Sequence, residues 1–168
     1  FAADAMPPVI DLLTYPDLRW ARRDIKSTNL LAQVMAKHAA NQSGAYEALM
    51  VDEEGFVTEA GSSSFFFIKD NVLYVRPVSN EILHGITRQT MLRVAKERDI
   101  SLIERNYTLH EVMAADEALI TASSIYVMPV GNIDGKRIGD GKAGAFTLAL
   151  REGYLAKARA EFYTPKVS

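Results

Sequence analysis

Between Tyr46 and Val75 the sequence alternates short runs of β-branched and aromatic residues with turn-forming residues, and this block constrains the fold more than any other stretch. YEALMV (46–51), FVTE (56–59), SFFFI (64–68) and VLYV (72–75) read as strands, with turns at 52–55 and 69–71, so an antiparallel meander is predicted. Helical signals flank it. Upstream, Ser27 or Thr28 is placed to cap a helix that Gly44 ends, with Leu30, Leu31, Val34, Met35 and His38 recurring on one face expected to pack a core. Downstream, Gly85 precedes a helix whose buried side carries Met91, Leu92 and Ala95. Residues 100–105 read as a strand, and Thr108 and Glu111 have capping-box spacing for a short helix. A strand over 117–121, the segment VMPVGNI with a hairpin at Asp134 and Gly135, and a helix over about 146–162 with Leu148, Leu150, Tyr154, Leu155 and Ala158 as core candidates complete the pattern. Helices and strands alternate irregularly, which predicts one mixed α and β domain with a sizeable sheet.

A chain of 168 residues, 48% hydrophobic and 24% charged, is long enough for one such core. Several function classes fall away. A net charge of -2, with bases and acids interspersed, gives no argument for a nucleic-acid partner. No run of about eighteen apolar residues offers a membrane span, and the first residues lack the basic and apolar regions of a signal peptide. The absence of cysteine excludes disulfides and thiolate chemistry and is compatible with a cytoplasmic location. His38, His84 and His110 lack ligand spacing, so no metal site is read. The opening FAADAMPPVIDLLTYPDL, with Pro7, Pro8 and Pro16, reads as an extended linker over 1–18 leading from an upstream domain. The domain itself is expected over 19–163, with a tail at 164–168.

Four stretches carry residues suited to chemistry. In DLRWARRDIKSTNLL, Lys26 stands among Arg19, Arg22 and Arg23, and an amine crowded by fixed cations tends toward its neutral, nucleophilic form. TEAGSSS (58–64) places one acid, Glu59, beside three serines inside an apolar block; it reads either as a solvated turn or as a polar pocket floor. In HGITR, Gly85 opens a helix whose first amides and Thr87 hydroxyl make a phosphate seat, or else it is a turn glycine. DEALITASS ends in a further hydroxyl cluster, Thr121, Ser123 and Ser124.

Taken in order, DIKSTNLL, VTEAGSSS, ILHGITR, ADEALITASS and IDGKRIGDGKAG resemble the class IV, fold type IV aminotransferases, from about Arg19 to Tyr163. That family includes D-amino-acid and branched-chain aminotransferases and aminodeoxychorismate lyase. The resemblance implies the large C-terminal domain of the D-amino-acid aminotransferase-like fold, α/β barrel-like, with pyridoxal 5'-phosphate as cofactor. By it, Lys26 is the catalytic lysine that binds the cofactor aldehyde as a Schiff base. Glu59 pairs with the pyridine nitrogen, Ile86 and Thr87 bind phosphate, Ser123 is a hydroxyl phosphate ligand, and Ser124 lies at the substrate carboxylate. Ser62 and Ser63 fall in the turn beside the cofactor. The sequence departs from the family pattern at Ser64, where asparagine is usual, and at Val75, where threonine is frequent.

The implied reaction is transfer of an amino group from an amino acid to a 2-oxo acid by a homodimer, without nucleic-acid or membrane partners. RWARRDIKSTNLL and the serine pair of TASS resemble the D-amino-acid branch, so a D-amino acid such as D-alanine is the expected donor. A branched-chain or (R)-amine aminotransferase and aminodeoxychorismate lyase are the alternatives within the family. An inactive or truncated homologue acting as a binding domain is the alternative outside enzymology.

Overall fold

The computed structural model describes residues 5–163. Its elements are β1 Ile10–Pro16, α1 Leu31–Gln42, β2 Glu47–Val51, β3 Val57–Ala60, β4 Ser64–Lys69, β5 Val72–Val75, α2 Ile86–Glu97, β6 Leu102–Glu104, α3 Leu109–Met113, β7 Glu117–Ala122, β8 Tyr126–Ile133, β9 Lys136–Arg137 and α4 Ala145–Tyr163. The strands form one sheet in the order β3-β2-β1-β8-β7-β4-β5-β6, with β9 on β8. β1 runs parallel to both β2 and β8, and β5 runs parallel to β6; the other pairs are antiparallel.

This order forces the sheet to curl. β3 and β4 are joined by residues 61–63 alone, yet four strands lie between them in the sheet. Five inter-strand steps of about 4.8 Å would separate them by roughly 24 Å on a flat sheet. A three-residue link reaches only about 14 Å at full extension. The edge therefore rolls back, and β3 is tied to the segment after β6, where Val57 N–H donates to the Tyr107 carbonyl at 3.0 Å. The barrel-like α and β architecture expected from the sequence is the one observed.

Alternation along β4 serves two cores. Phe65 and Phe67 face inward with Leu12, Tyr107, Ile120 and Met128, while Phe66 and Ile68 face Leu119, Met91 of α2 and Leu150 of α4. Burying each phenylalanine contributes about 1.5–3 kcal/mol, so three in succession anchor the sheet from both sides. Tyr107 is fully buried and donates its hydroxyl to the Phe65 carbonyl at 3.0 Å, so its own polar atom is not stranded in that core.

Three expectations change. The meander is two separate hairpins, β2 with β3 and β4 with β5, because the curl takes β4 to β7 instead of to β3. Residues 10–16, expected within a linker, are a strand at the middle of the sheet, with Ile10 and Leu12 buried. The prolines tolerate this, since Pro16 stands at the strand end and Asp17 N–H takes over the bond to the Val51 carbonyl. Residues 1–4 and the expected tail at 164–168 lie outside the described residues.

The helix expected from Ser27 or Thr28 begins instead at Leu31, with Leu30 at the N-cap and no side-chain cap. Its Leu31, Val34 and Met35 are exposed, and so is His38; Ala36 and Ala40 pack on Ala48 and Met50 of β2. Alanines let the helix approach the sheet closely, which the bulky stripe would prevent. Gly44, at φ +81°, closes α1 as predicted: Ala45 N–H donates to the Ala40 carbonyl at 2.9 Å in a Schellman arrangement.

Candidate active site

Glu59 organises one end of the sheet. It lies on β3, 5% exposed, and its carboxylate receives the Arg19 guanidinium together with the Leu83 N–H, 3.2 Å from each oxygen. Arg19 also chelates Asp17, with Nε at 2.8 Å and Nη2 at 2.7 Å, and Thr58 donates its hydroxyl to Asp17 at 2.6 Å. Arg23 adds an ion pair to Asp17 at 3.4 Å. Three loops thereby converge: the strap after β1, the β3 end and the segment before α2.

The electrostatics of this cluster are asymmetric. Burial pushes the Glu59 carboxyl above its ordinary value, and the charge and hydrogen bond of Arg19 with the Leu83 amide only partly offset it. Asp17 goes the other way. Burial opposes its ionisation, but Arg19, Thr58 and Arg23 together hold it below the usual carboxylate range. Glu59 is thus the carboxylate whose charge depends on a partner.

Lys26 sits on the exposed strap, five positions ahead of α1, and makes no hydrogen bond or ion pair among the described residues. The arginines around it in the sequence are each paired with an acid. Arg19 and Arg23 serve Asp17, and Arg22 pairs with Asp24 at 2.8 Å. Nor does a helix start lie beside it, since the chain turns through residues 27–30 first.

Ser64 lies near both the start of α2 and the end of β7. α2 begins after Gly85 with no side-chain cap, so its first-turn amides at Ile86 and Thr87 are left open by helix geometry. Thr87 is buried, whereas the Ile86 side chain is 72% exposed and offers only its backbone. A Cβ on Gly85 would stand 3.4 Å from Ser64 Oγ, and Ser64 lies opposite Thr121 in the β4–β7 ladder. Ser123 and Ser124 follow in the exposed β7–β8 turn. Two buried hydroxyls here, Ser63 Oγ and Thr121 Oγ1, have no protein partner. Unsatisfied buried donors beside an open helix start fit a phosphate-bearing ligand. Ser62 donates to Glu47, which also accepts from Ala48 N–H at 3.1 Å and so ties the 61–63 turn to β2.

Residues 2–133 match the family model described as amino-transferase class IV. The chain belongs to that family. Class IV relatives include the D-alanine aminotransferase of Staphylococcus haemolyticus, 43% identical over 145 residues that make up 86% of this chain and 51% of the relative. The D-alanine aminotransferase of Bacillus licheniformis is 42% identical over 138 residues, 82% of this chain and 48% of that one. Among class IV structures, the T.th. branched-chain amino acid aminotransferase complexed with N-(5'-phosphopyridoxyl)-L-glutamate superposes with a TM-score of 0.84 at 34% identity, over 94% of this chain and 54% of that one. The branched-chain aminotransferase of Thermoproteus uzoniensis with norvaline gives 0.82 at 28% identity, over 92% and 53%. The chain thus spans about half the length of the class IV relatives it matches.

Sequence reasoning named Lys26, Glu59, Ile86, Thr87, Ser123 and Ser124; of these, Glu59 is tied to the segment before α2 through Leu83, while Ser123 and Ser124 lie in the exposed β7–β8 turn and Lys26 on the exposed strap. It missed the role of Arg19 and Asp17. The signal was present as a charged pair at 17 and 19, but only the fold brings it to a carboxylate 40 positions away.

Proposed function

We propose that the protein is a pyridoxal 5'-phosphate-dependent aminotransferase acting on a D-amino acid, D-alanine being the favoured donor, with a 2-oxo acid as acceptor. The observation that carries this reading is the buried Glu59 carboxylate, held by Arg19 and the Leu83 amide, together with the buried Ser63 and Thr121 hydroxyls that have no protein partner. When bound, the cofactor supplies an aldehyde and an electron-withdrawing ring. Glu59 would hold the ring nitrogen in its protonated form, and Ile86, Thr87 and Ser123 would hold the phosphate. Lys26 Nζ would hold the aldehyde and, as a neutral amine, would serve as the base for the substrate α-carbon proton. Ser124 positions the substrate carboxylate. The D-alanine aminotransferases among the relatives support the donor; the likeness to branched-chain enzymes supports an L-branched-chain donor as the second reading.

The full-length protein, saturated with pyridoxal phosphate, reduced with borohydride and mapped by peptide, carries the adduct on Lys26, and Lys26→Ala carries none. An unmodified Lys26 overturns the mechanism. A panel of D-alanine, L-leucine and a chiral amine with a 2-oxo acid acceptor gives fastest turnover with D-alanine; preference for L-leucine replaces the first reading by the second. The proposal includes a homodimer in the cytoplasm. The exposed apolar stripe Leu31, Val34 and Met35 on α1 supports the second copy, and light scattering at the mass of a single chain would refute it.

A further inference from the structure

Arg151 is a buried cation that the proposed mechanism leaves unused. It projects from α4, 4% exposed, and its Nη1 donates to the Val127 carbonyl at 2.9 Å and to the Ile125 carbonyl at 3.3 Å. The Tyr126 ring lies 5.8 Å from its guanidinium carbon. No carboxylate answers it there, and burial makes its proton easier to lose. A guanidinium taken out of water without a counter-ion is costly, so its retention calls for a use.

The two carbonyls it holds bracket an unusual residue. β7 and β8 form a hairpin in which Ala122 faces Tyr126, leaving Ser123, Ser124 and Ile125 as a three-residue loop that Ile125 N–H closes onto the Ala122 carbonyl at 3.2 Å. The residue just after this loop, at the start of β8, is left-handed, a conformation that glycine or asparagine takes without strain. Here tyrosine takes it, at φ +62°. Supports from α4 compensate: Arg151 grips the carbonyls on both sides, and Tyr154 packs its ring 5.8 Å from that of Tyr126. The left-handed residue sets where the loop hydroxyls and amides point, and they are those of Ser123 and Ser124.

We propose that Arg151 is a positioning residue for the Ser123–Ser124 loop, locking it from behind into the closure that presents the Ser123 donors to a phosphate. This rests on the reading of that loop as a phosphate seat. It explains why a strained tyrosine and a buried cation occur together: each is tolerated because of the other.

The test uses full-length protein and two probes, pyridoxal phosphate and pyridoxal, which share the aldehyde and ring and differ in the phosphate. Arg151→Met weakens pyridoxal phosphate by about tenfold or more, the scale of losing a hydrogen bond to a charged group, and leaves pyridoxal unchanged. Hydrogen exchange of the 123–127 amides rises in the same variant without any ligand. Tyr126→Gly in the Arg151→Met background restores both, because glycine closes the loop unaided. Arg151→Lys with and without Tyr126→Gly gives the same comparison if the methionine variant does not fold. Equal loss for the two probes, no loss, or a loss that Tyr126→Gly leaves in place overturns the inference. A wild-type protein that does not distinguish pyridoxal phosphate from pyridoxal refutes instead the phosphate-seat reading beneath it.

Discussion

Replacing Arg19 with methionine is the sharpest perturbation of the Glu59 cluster. The guanidinium is 5% exposed, and the Asp17 and Glu59 side chains it serves are 0% and 7% exposed. Methionine fills much of the volume and strands two carboxylates. Removing one partner of a buried ion pair costs about 3–5 kcal/mol, which for a domain of this size lowers the thermal midpoint by roughly 6–20 °C. The pH dependence carries the sign. Asp17, held below its ordinary value of 3.8, contributes stability that is present above that value and lost as pH falls through the lowered one. Glu59, raised above 4.5, acts oppositely, because between those values the folded state binds the extra proton and stability falls as pH rises. Without Arg19 both carboxyls shift upward. The gap between wild type and Arg19→Met is therefore smallest in acid, where both are protonated, and widens toward neutral pH. Urea unfolding across a pH series measures it, and adding Glu59→Gln to Arg19→Met recovers part of the loss. A gap below about 1 kcal/mol at neutral pH, or one that does not change with pH, would mean that the cluster is not a buried, interdependent ion-pair network.

Three further outcomes are expected. Thr108→Ala removes the hydroxyl that caps α3 at Glu111 N–H and destabilises by about 1 kcal/mol, read by thermal unfolding. Glu111, hydrogen-bonded to Arg105 and to the Thr108 amide, stays ionised until about pH 2; the stability it confers is present above its ordinary 4.5 and is lost as pH falls through about 2, which carboxyl-resolved NMR titration follows. Gly139→Ala places a Cβ 2.0 Å from the Asp116 carbonyl oxygen at φ +54° and destabilises by more than about 1 kcal/mol, against no change for an alanine at the open Gly135 beyond its own backbone strain.

What the sequence made legible follows the range of each interaction. Local signals were reliable: the Thr108 capping box, the Gly44 helix end and the left-handed Asp134–Gly135 turn all stand where residue chemistry within five positions put them. The apolar stripe of α1 was also real, but periodicity reports only that a face is apolar, not what covers it, and here alanines meet the sheet. The candidates Lys26, Glu59 and both hydroxyl stretches could be picked out because each lies in a short string. Arg19 on Glu59 and Arg151 on Val127 span 40 and 24 positions, and nothing local to either arginine announces its partner.

β1 lies between two strands that enter the chain later, β2 and β8, and it pairs with each in parallel. Such neighbours can join only through it, so it acts as a seam. With it unstitched, the ladder between β2 and β8 would be lost, and β3 and β2 would stay joined to the rest only through residues 61–63 and the Val57–Tyr107 bond. A cut placed after Leu18, where composition suggests a tether, would therefore free the central strand to leave, part Asp17 from Arg19, and open the seam while the lysine and the glutamate stay together on one continuous piece.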